Sequence, residues 1–457
     1  MNRISKTDFF EMFSDPSVFD AGEYNFLRVI QSALLGRPAE RNGKMARRSL
    51  FLQPYFIVKS YLRLRAFRKN KLSDYFKPDQ KYLFICPIRF SKDPESGIEK
   101  NSYIERIVEL LVRKNCHIHY RGMLPESAKI DCDTTISEWL KTRIPYGSFD
   151  RDCIQLIRKT FNNLRKNPTL STEDLVEIRQ MLDDFWWESR LYYFYLKQSN
   201  VSTAFIYPAY QNEAVVYALR KAGIKVIELQ HGVISKGANF YVYPSALKKI
   251  NRDILLPDEI WVWGSYWKSI LLKGFEFSEN KIKVVGDFIK RPDLTMFSSP
   301  KEKVVLVTLS TGTQSFFIPY IKQLYEHILR HPGWKLWIKP HPGDPNNAVY
   351  DDAFKGYELL EIIDKNTNIF QCLQKATIQV SIFSNTLFEA VETSTVSFCL
   401  DVDSKYKGFV EDVIAAGVAY KLDSGEDPIC RMEELLHSHK EPERDIFFST
   451  FSIPQVY

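Results

Sequence analysis

From Lys81 onward, short apolar runs rich in β-branched and aromatic residues alternate with stretches of helical period. The runs Tyr82 to Pro87, His117 to Tyr120, Ala204 to Tyr207, Lys225 to Leu229, Glu259 to Trp263 and Lys281 to Val285 form a first series of expected strands. A second series comprises Lys303 to Leu309, Lys335 to Lys339, Glu358 to Ile363, Ile378 to Ile382 and Val396 to Leu400. Strands alternating with amphipathic helices predict stacked βα units and largely parallel sheets. Between the series, Asp287 to Glu302 is polar and contains a Ser298-Ser299-Pro300 turn, the composition of an interdomain linker. The expected architecture is α/β, with two Rossmann-like domains.

A helical insertion, about residues 134–198, interrupts the first series. Its longest helix is expected to open at Ser171-Thr172-Glu173-Asp174, which resembles a capping box, and to run through Phe185-Trp186-Trp187 towards Lys197, with those aromatics in the core. The expected division is a basic, partly helical extension (1–80), a first domain (81–290), a second domain (300–440) and a tail (441–457) docking back on the body. There is no internal repeat beyond the βα alternation.

Composition narrows the class. With 45% hydrophobic residues, 26% charged, 19 Gly and 22 Pro, the chain is neither disordered, collagen-like nor a disulfide scaffold. No apolar run approaches the roughly 18 residues of a membrane span, and Met1 to Ser14 has acidic residues and no apolar segment, so neither a transmembrane helix nor a signal peptide is expected. The seven cysteines are scattered, never in C-x-x-C, which suits a reducing cytosol.

The net charge of +6 is unevenly placed: Arg37 to Lys71 holds eleven Lys or Arg against one acid, Glu40. Apolar residues such as Phe51, Tyr55, Phe56, Tyr61 and Phe67 interleave with Lys59, Arg63, Arg65 and Arg68. That pattern fits a helix on an anionic membrane surface, and equally a solvated basic face whose apolar side meets the core. Nucleic acid is not expected as a partner, because no helix-turn-helix, zinc-finger or RNP-type pattern accompanies the charge. The expected location is cytoplasmic, peripheral on the inner face of the membrane.

Candidate chemistry collects where strands end, since ligands of open α/β sheets bind beyond the carboxyl ends of strands. Ile227-Glu228-Leu229-Gln230-His231-Gly232 stops an apolar strand on a polar pair. His231 there reads as a phosphate donor or an acid/base, or as a loop histidine bonded to a carbonyl. Glu213 falls in the first turn of the helix after Ala204 to Tyr207, as a catalytic carboxylate or a complement to the helix dipole.

In the second domain, Trp337-Ile338-Lys339-Pro340-His341-Pro342-Gly343 ends a strand on a cation and a histidine, stiffened by two prolines, a tip suited to phosphate. Ser384-Asn385-Thr386 opens a helix, where hydroxyls and free amides either bind an anion or cap the helix, and Glu389 one turn in is a candidate acceptor for the hydroxyls of a ribose. Ser310-Thr311-Gly312-Thr313 is a third polar loop at a strand end. Metal is not expected: Cys116-His117-Ile118-His119 lies in a strand without a partner pair, and Asp131-Cys132-Asp133 and Asp401-Val402-Asp403 are short acid pairs common after strands.

The order E-L-Q-H-G-V-I (Glu228 to Ile234), P-D-E-I-W-V-W-G-S-Y-W (Pro257 to Trp267), V-V-G-D (Val284 to Asp287), K-P-H-P (Lys339 to Pro342) and S-N-T-L-F-E-A (Ser384 to Ala390) resembles bacterial GT-B glycosyltransferases of capsule and O-antigen assembly, over about Val201 to Leu400. The His-Pro pair and Ser/Thr loop are similar to those of sialyl- and Kdo transferases and of teichoic-acid glycerophosphotransferases. The acid-acid-Gly base motif of inverting sialyltransferases is absent, which makes CMP-Kdo-type transferases the nearer analogy.

The resemblance implies transfer of a sugar from a nucleotide donor, a CMP-linked ulosonic acid favoured, to a surface-polysaccharide or lipid-linked acceptor, without metal or other cofactor. It implies Glu213, His231 and, in reserve, Asp287 as catalytic groups. Gln230, Ser310, Thr311, Gly312, Lys339, His341, Pro342, Ser384, Asn385, Thr386 and Glu389 are the implied donor contacts. A nucleotide-sugar epimerase, a glycerophosphotransferase and a non-catalytic assembly or export partner are the alternatives.

Overall fold

The computed structural model describes residues 29–30, 76–86, 91–92, 98–121, 132–136, 144, 146–166, 168, 170–210, 212–235, 241, 255–274, 278–289, 300–310, 314–342, 348–382, 384–401, 407–435 and 443–454. The basic segment Arg37 to Lys71, Thr311, Gly312 and residues 290–299 of the linker lie outside the described residues.

Two parallel sheets carry the fold. The first contains β1 (Tyr82–Cys86), β4 (Cys116–Tyr120), β5 (Thr134–Thr135), β6 (Thr203–Ile206), β7 (Lys225–Leu229), β8 (Glu259–Val262) and β9 (Ile282–Val284), in the spatial order β5-β4-β1-β6-β7-β8-β9. A short antiparallel pair, β2 (Ser91–Lys92) and β3 (Glu99–Lys100), lies outside it. The second contains β10 (Glu302–Thr308), β11 (Lys335–Lys339), β12 (Leu360–Ile362), β13 (Ala376–Ser381), β14 (Val396–Asp401) and β15 (Tyr420–Asp423), in the order β12-β11-β10-β13-β14-β15.

In both sheets the chain starts in the middle, steps outwards to one side, then returns to build the other. This is the doubly wound order, whose reversal falls between β1 and β6 in the first sheet and between β10 and β13 in the second. The architecture is thus the pair of Rossmann-like halves that GT-B denotes. Parallel strands covered on both faces read as unbroken apolar runs, and the last four residues of β1, β7 and β11 are all buried.

The insertion supplies two helices, Ser148–Leu164 and Thr172–Leu196. Ser171 caps the second, accepting from the Asp174 amide while the Asp174 carboxylate returns to the Ser171 amide at 2.9 Å. Of its aromatics, Phe185 is in the core, but Trp186 and Trp187 are only half-buried. They face the Arg190 guanidinium at 5.8 and 5.3 Å from their ring centroids. Arg190 forms a buried ion pair with Asp150 at 2.7 Å, and the Trp186 indole donates to the same carboxylate at 3.1 Å. The tryptophans are half-exposed because they wrap a charge that would be costly to bury alone.

Residues 443–454 lie against the first sheet. Trp267 Nε1 donates to the Phe447 carbonyl at 2.9 Å, the Ser449 amide to Trp263 O at 2.9 Å, and the Ser452 amide to Val285 O at 2.8 Å. Two glycines make this approach possible. A Cβ at Gly264 would lie 2.2 Å from Ile446 O, and one at Gly286, where φ is +83°, would lie 2.3 Å from Thr450 O.

Candidate active site

The carboxyl ends of β6 and β7 carry the first cluster. Glu228, near the end of β7, is 1% exposed, a burial that is costly without hydrogen bonds. Its Oε1 accepts from the Ala209 amide at 3.2 Å and the Tyr241 hydroxyl at 2.7 Å, which fixes the loop that leads into Glu213. The Tyr241 ring meets Tyr210 edge-on, with centroids 5.2 Å apart, and the Tyr210 hydroxyl lies 2.9 Å from His231 Nε2. The half-buried His231 ring is therefore oriented by a tyrosine that is itself held by packing. Glu228 was visible only as part of a motif, and neither Tyr210 nor Tyr241 carried a sequence signal.

Gln230 does not offer its amide to a ligand. Its Oε1 accepts from the Trp263 amide and its Nε2 donates to Gly232 O, both at 3.0 Å, so it braces the turn that presents His231.

Glu213 is 8% exposed and starts the helix Glu213–Lys221. It shares its surroundings with Arg121, the residue after β4, which is ion-paired with Glu188. Burial weakens the Arg121 charge, but Tyr192, Glu188 and Glu213 outweigh it and hold the guanidinium pKa above its usual value. Arg121 and Glu188 were missed from sequence because they come from different βα units.

The second cluster lies at the β10/β13 reversal. Thr308 Oγ1 and Thr386 Oγ1 are 2.9 Å apart, and Gln379 Nε2 donates to them at 3.0 and 2.7 Å respectively. Gln379 Oε1 accepts from Ser397 Oγ at 3.0 Å, and Ser381 Oγ donates to Thr308 O at 2.9 Å. Thr386 in turn donates from Oγ1 at 2.9 Å and from its amide at 3.2 Å to Ser384 Oγ. A saturated buried network of this kind sets positions tightly, and here it fixes Ser384 and Thr386. The only sequence trace of it is Gln379, a long polar residue inside an apolar strand.

Three expectations are corrected here. The helix that Ser384 to Thr386 opens is a single turn, Thr386–Glu389, followed by a 3-10 turn, Ala390–Glu392, so the aligned backbone dipoles expected to hold an anion are few. Asn385 caps nothing with its side chain. Instead its Oδ1 accepts from the Val233 amide of the first domain at 2.8 Å, and a Cβ on Gly232 would lie 3.3 Å from that oxygen. Lys339, 5% exposed, donates to Lys365 O at 2.7 Å and Pro340 O at 3.3 Å. Burial lowers its pKa, partly offset by Cys372 and Asp364, and its ammonium knots the backbone below the tip.

Beyond Lys339, His341 is half-buried and Pro342 exposed; Ser310, after β10, and Glu389 are half-buried. Asp287 follows β9, the edge strand of the first sheet. Its Oδ1 accepts from the Ile289 amide at 3.1 Å, its amide donates to Ser449 O at 3.0 Å, and its carbonyl accepts from Arg106 at 2.6 Å. These are the bonds of a chain turn. The structure thus brings the turn that follows Gln230 and His231, at Gly232 and Val233, against Asn385, keeps Glu213 at the start of the neighbouring helix, and leaves Asp287 at the end of the edge strand.

The other metal-like patterns are occupied otherwise. The run Cys116 to His119 reads in sequence as an alternating strand, but all five residues of β4 are buried. His117 lies between Gln80 (3.1 Å) and Thr134 (2.8 Å), and His119 between Thr134 (3.0 Å) and Tyr192 (3.2 Å). Desolvation pushes His117 down to about 4 and His119 well below the usual value. Asp133 accepts from the Ile118 amide at 2.8 Å, and Asp401 pairs with Lys421 at 3.1 Å.

No protein family matches the chain, and no curated protein matches it by sequence. Among solved structures it is similar to the UDP-GlcNAc 2-epimerase of Neisseria meningitidis bound to UDP-GlcNAc, at 13% identity and TM-score 0.46, over 82% of this chain and 96% of that one. It is also similar to a glycosyltransferase from Rickettsia africae, at 14% identity and TM-score 0.41, over 81% and 91%. A third is the wall teichoic acid polymerase TagF, at 13% identity and TM-score 0.41, over 79% and 81%.

Proposed function

We propose that the chain is a glycosyltransferase that uses a nucleotide-activated sugar, with the donor held between the two domains. The supporting observation is the bond from Val233 to Asn385, which joins the His231 turn of one sheet to the Ser384–Thr386 turn of the other at the carboxyl ends of both. In this reading an acceptor hydroxyl attacks the anomeric carbon as the bond to the nucleotide phosphate oxygen breaks. The hydroxyl proton passes to Glu213, with His231 assisting. His341 and the hydroxyl of Ser384, which Thr386 positions, meet the charge on the departing phosphate, where a preorganised donor contributes about 3 to 4 kcal/mol. Gln230, Asn385 and Lys339 hold the turns rather than the donor.

The first donor to test is a CMP-linked ulosonic acid, with a lipid-linked or polysaccharide acceptor at the inner membrane surface reached through Arg37 to Lys71. Incubation with CMP-, UDP-, GDP- and CDP-activated donors, with and without acceptor, reads the reaction directly. Acceptor-dependent nucleotide release supports transfer. Sugar isomerisation without acceptor makes the chain an epimerase, and inertness towards every donor removes the enzymatic reading. For the membrane arm, co-sedimentation with anionic but not neutral vesicles, reversed by about 0.5 M salt, is expected. Equal binding to both would leave Arg37 to Lys71 a solvated helix face.

A further inference from the structure

A second cluster of reactive side chains lies between the end of the helix Gln314–Ile328 with the turn after it and the start of the helix Pro428–Leu435. The Asp427 Oδ2 atom is 2.8 Å from His331 Nε2 and 3.3 Å from His327 Nδ1, and Cys430 Sγ is 3.9 Å from His331 Nε2. Among the described residues, His331, Asp427 and Cys430 are the one set of three such groups whose ligand atoms all lie within 4.8 Å of one another.

The proton positions make this more than proximity. His327 Nε2 lies 3.1 Å from the Gly425 carbonyl, which can only accept, so Nε2 carries a proton. In the neutral ring the Nδ1 lone pair then faces the Asp427 carboxylate, shielded from solvent and with no hydrogen-bond partner. Two acceptors that face each other in this way need a positive charge between or beside them. The Asp427 Oδ1 atom is already engaged by the Ile429 amide at 2.9 Å and the Cys430 amide at 3.4 Å, leaving Oδ2 for whatever the histidines share.

We infer that His331 Nε2, Asp427 Oδ2 and Cys430 Sγ form a three-ligand site for a divalent transition-metal cation of the zinc class, with the fourth tetrahedral position open. With bonds of about 2.0 to 2.3 Å, neighbouring ligands of such an ion lie roughly 3.3 to 3.8 Å apart. The His331–Asp427 and His331–Cys430 separations of 2.8 and 3.9 Å lie on either side of that range. The outer contacts of Asp427 also have the form that orients a metal ligand, with its second oxygen held by two backbone amides. Imidazole and thiolate favour zinc or cobalt over magnesium or calcium. The site uses none of the residues assigned to sugar transfer, so it stands or falls independently of the proposed function.

Cobalt reports on it spectroscopically. Full-length, metal-stripped protein titrated with Co2+ is expected to take up one equivalent and develop a thiolate-to-cobalt charge-transfer band, which one equivalent of Zn2+ removes. Cys430 is the one exposed cysteine of the seven, so Cys430→Ser should abolish the band, and Zn2+ should protect the wild-type thiol from alkylation. His331→Gln should weaken Zn2+ binding by about 10- to 100-fold in chelator competition, and the double variant His327→Gln with His331→Gln at least as much, with circular dichroism verifying that the variants are folded. Absence of the band, its survival in Cys430→Ser, or wild-type affinity in the double histidine variant would overturn the assignment and leave an ion pair between His327 or His331 and Asp427. Sugar transfer by Cys430→Ser is expected at the wild-type rate.

Discussion

The amide of Val233 donates to Asn385 Oδ1 across 2.8 Å, and these two residues belong to different sheets, 152 positions apart in the chain. Val233 lies two residues beyond His231 and Asn385 one beyond Ser384, so this bond ties the His231 turn after one sheet to the Ser384 turn after the other. Gly232 lies directly under it, where a side chain would press on the Asn385 amide.

Asn385→Ala should therefore lower kcat/KM for donor by about fivefold, the effect of losing one interdomain hydrogen bond of about 1 kcal/mol. Gly232→Ala should have a similar effect, through its 3.3 Å approach to the same oxygen. Because the two substitutions damage one contact, the double variant should lose less than the product of the singles. Strict multiplicativity in steady-state kinetics would separate the two sites and undo the argument.

Lys339 and His341 are two residues apart in sequence and should respond differently. Lys339→Met leaves the carbonyls of Lys365 and Pro340 without their donor, so stability should fall by about 1 to 3 kcal/mol while the remaining folded enzyme binds donor normally. His341→Ala should leave the melting temperature unchanged and lower activity at least about tenfold, as expected when a charge-assisted phosphate contact disappears. Denaturant melts run beside donor titrations distinguish them; a stable, slow Lys339→Met would return its ammonium to the phosphate.

This contrast shows what the sequence carried. The buried parallel strands were legible as apolar runs, to within a residue or two for β1, β7 and β11. β5 has two residues and β15 reads Tyr-Lys-Leu-Asp at the sheet edge, too short or too polar to stand out. Strand ends pointed to Glu213, His231, Lys339 and Ser384, because the doubly wound topology brings strand ends together. What a side chain does once there depends on partners from other units. Lys339 turns to the carbonyl of Lys365, Gln230 to Trp263, Asn385 to Val233, and no local pattern encodes those pairings.

Chelation should separate stability from turnover. Phosphate charge is assigned to His341 and the Ser384 hydroxyl, so excess EDTA should leave the transfer rate at assay temperature intact. If His331, Asp427 and Cys430 hold zinc, the same treatment should lower the melting temperature, since free metal at 100 times its Kd contributes about 2.7 kcal/mol. Turnover abolished by EDTA and restored by magnesium or manganese would instead require Asp401, at the end of β14, and Asp403 to be reconsidered.

Acid should weaken the fold through β4. His117 is fully buried with its pKa pushed down from 6.5 to about 4, first by desolvation and then by Arg113 and Lys77, with Asp133 opposing. Next to it, His119 is shifted the same way by burial, His117 and Arg121. Between pH 6.5 and 4 the unfolded chain therefore binds a proton at His117 that the folded chain refuses. Stability rises with pH wherever the unfolded state holds more protons, so this contribution is complete above 6.5 and is lost as the pH falls towards 4. A shift of this size corresponds to about 3 kcal/mol for His117. His117→Gln can still bond to Gln80 or Thr134 but does not titrate. Its stability should change less than that of the wild type between pH 7 and 4.5, with the other acid-sensitive groups common to both. Urea midpoints at half-unit pH steps give the difference curve. Parallel curves for the two proteins would mean that His117 takes up its proton without strain, against the burial described here.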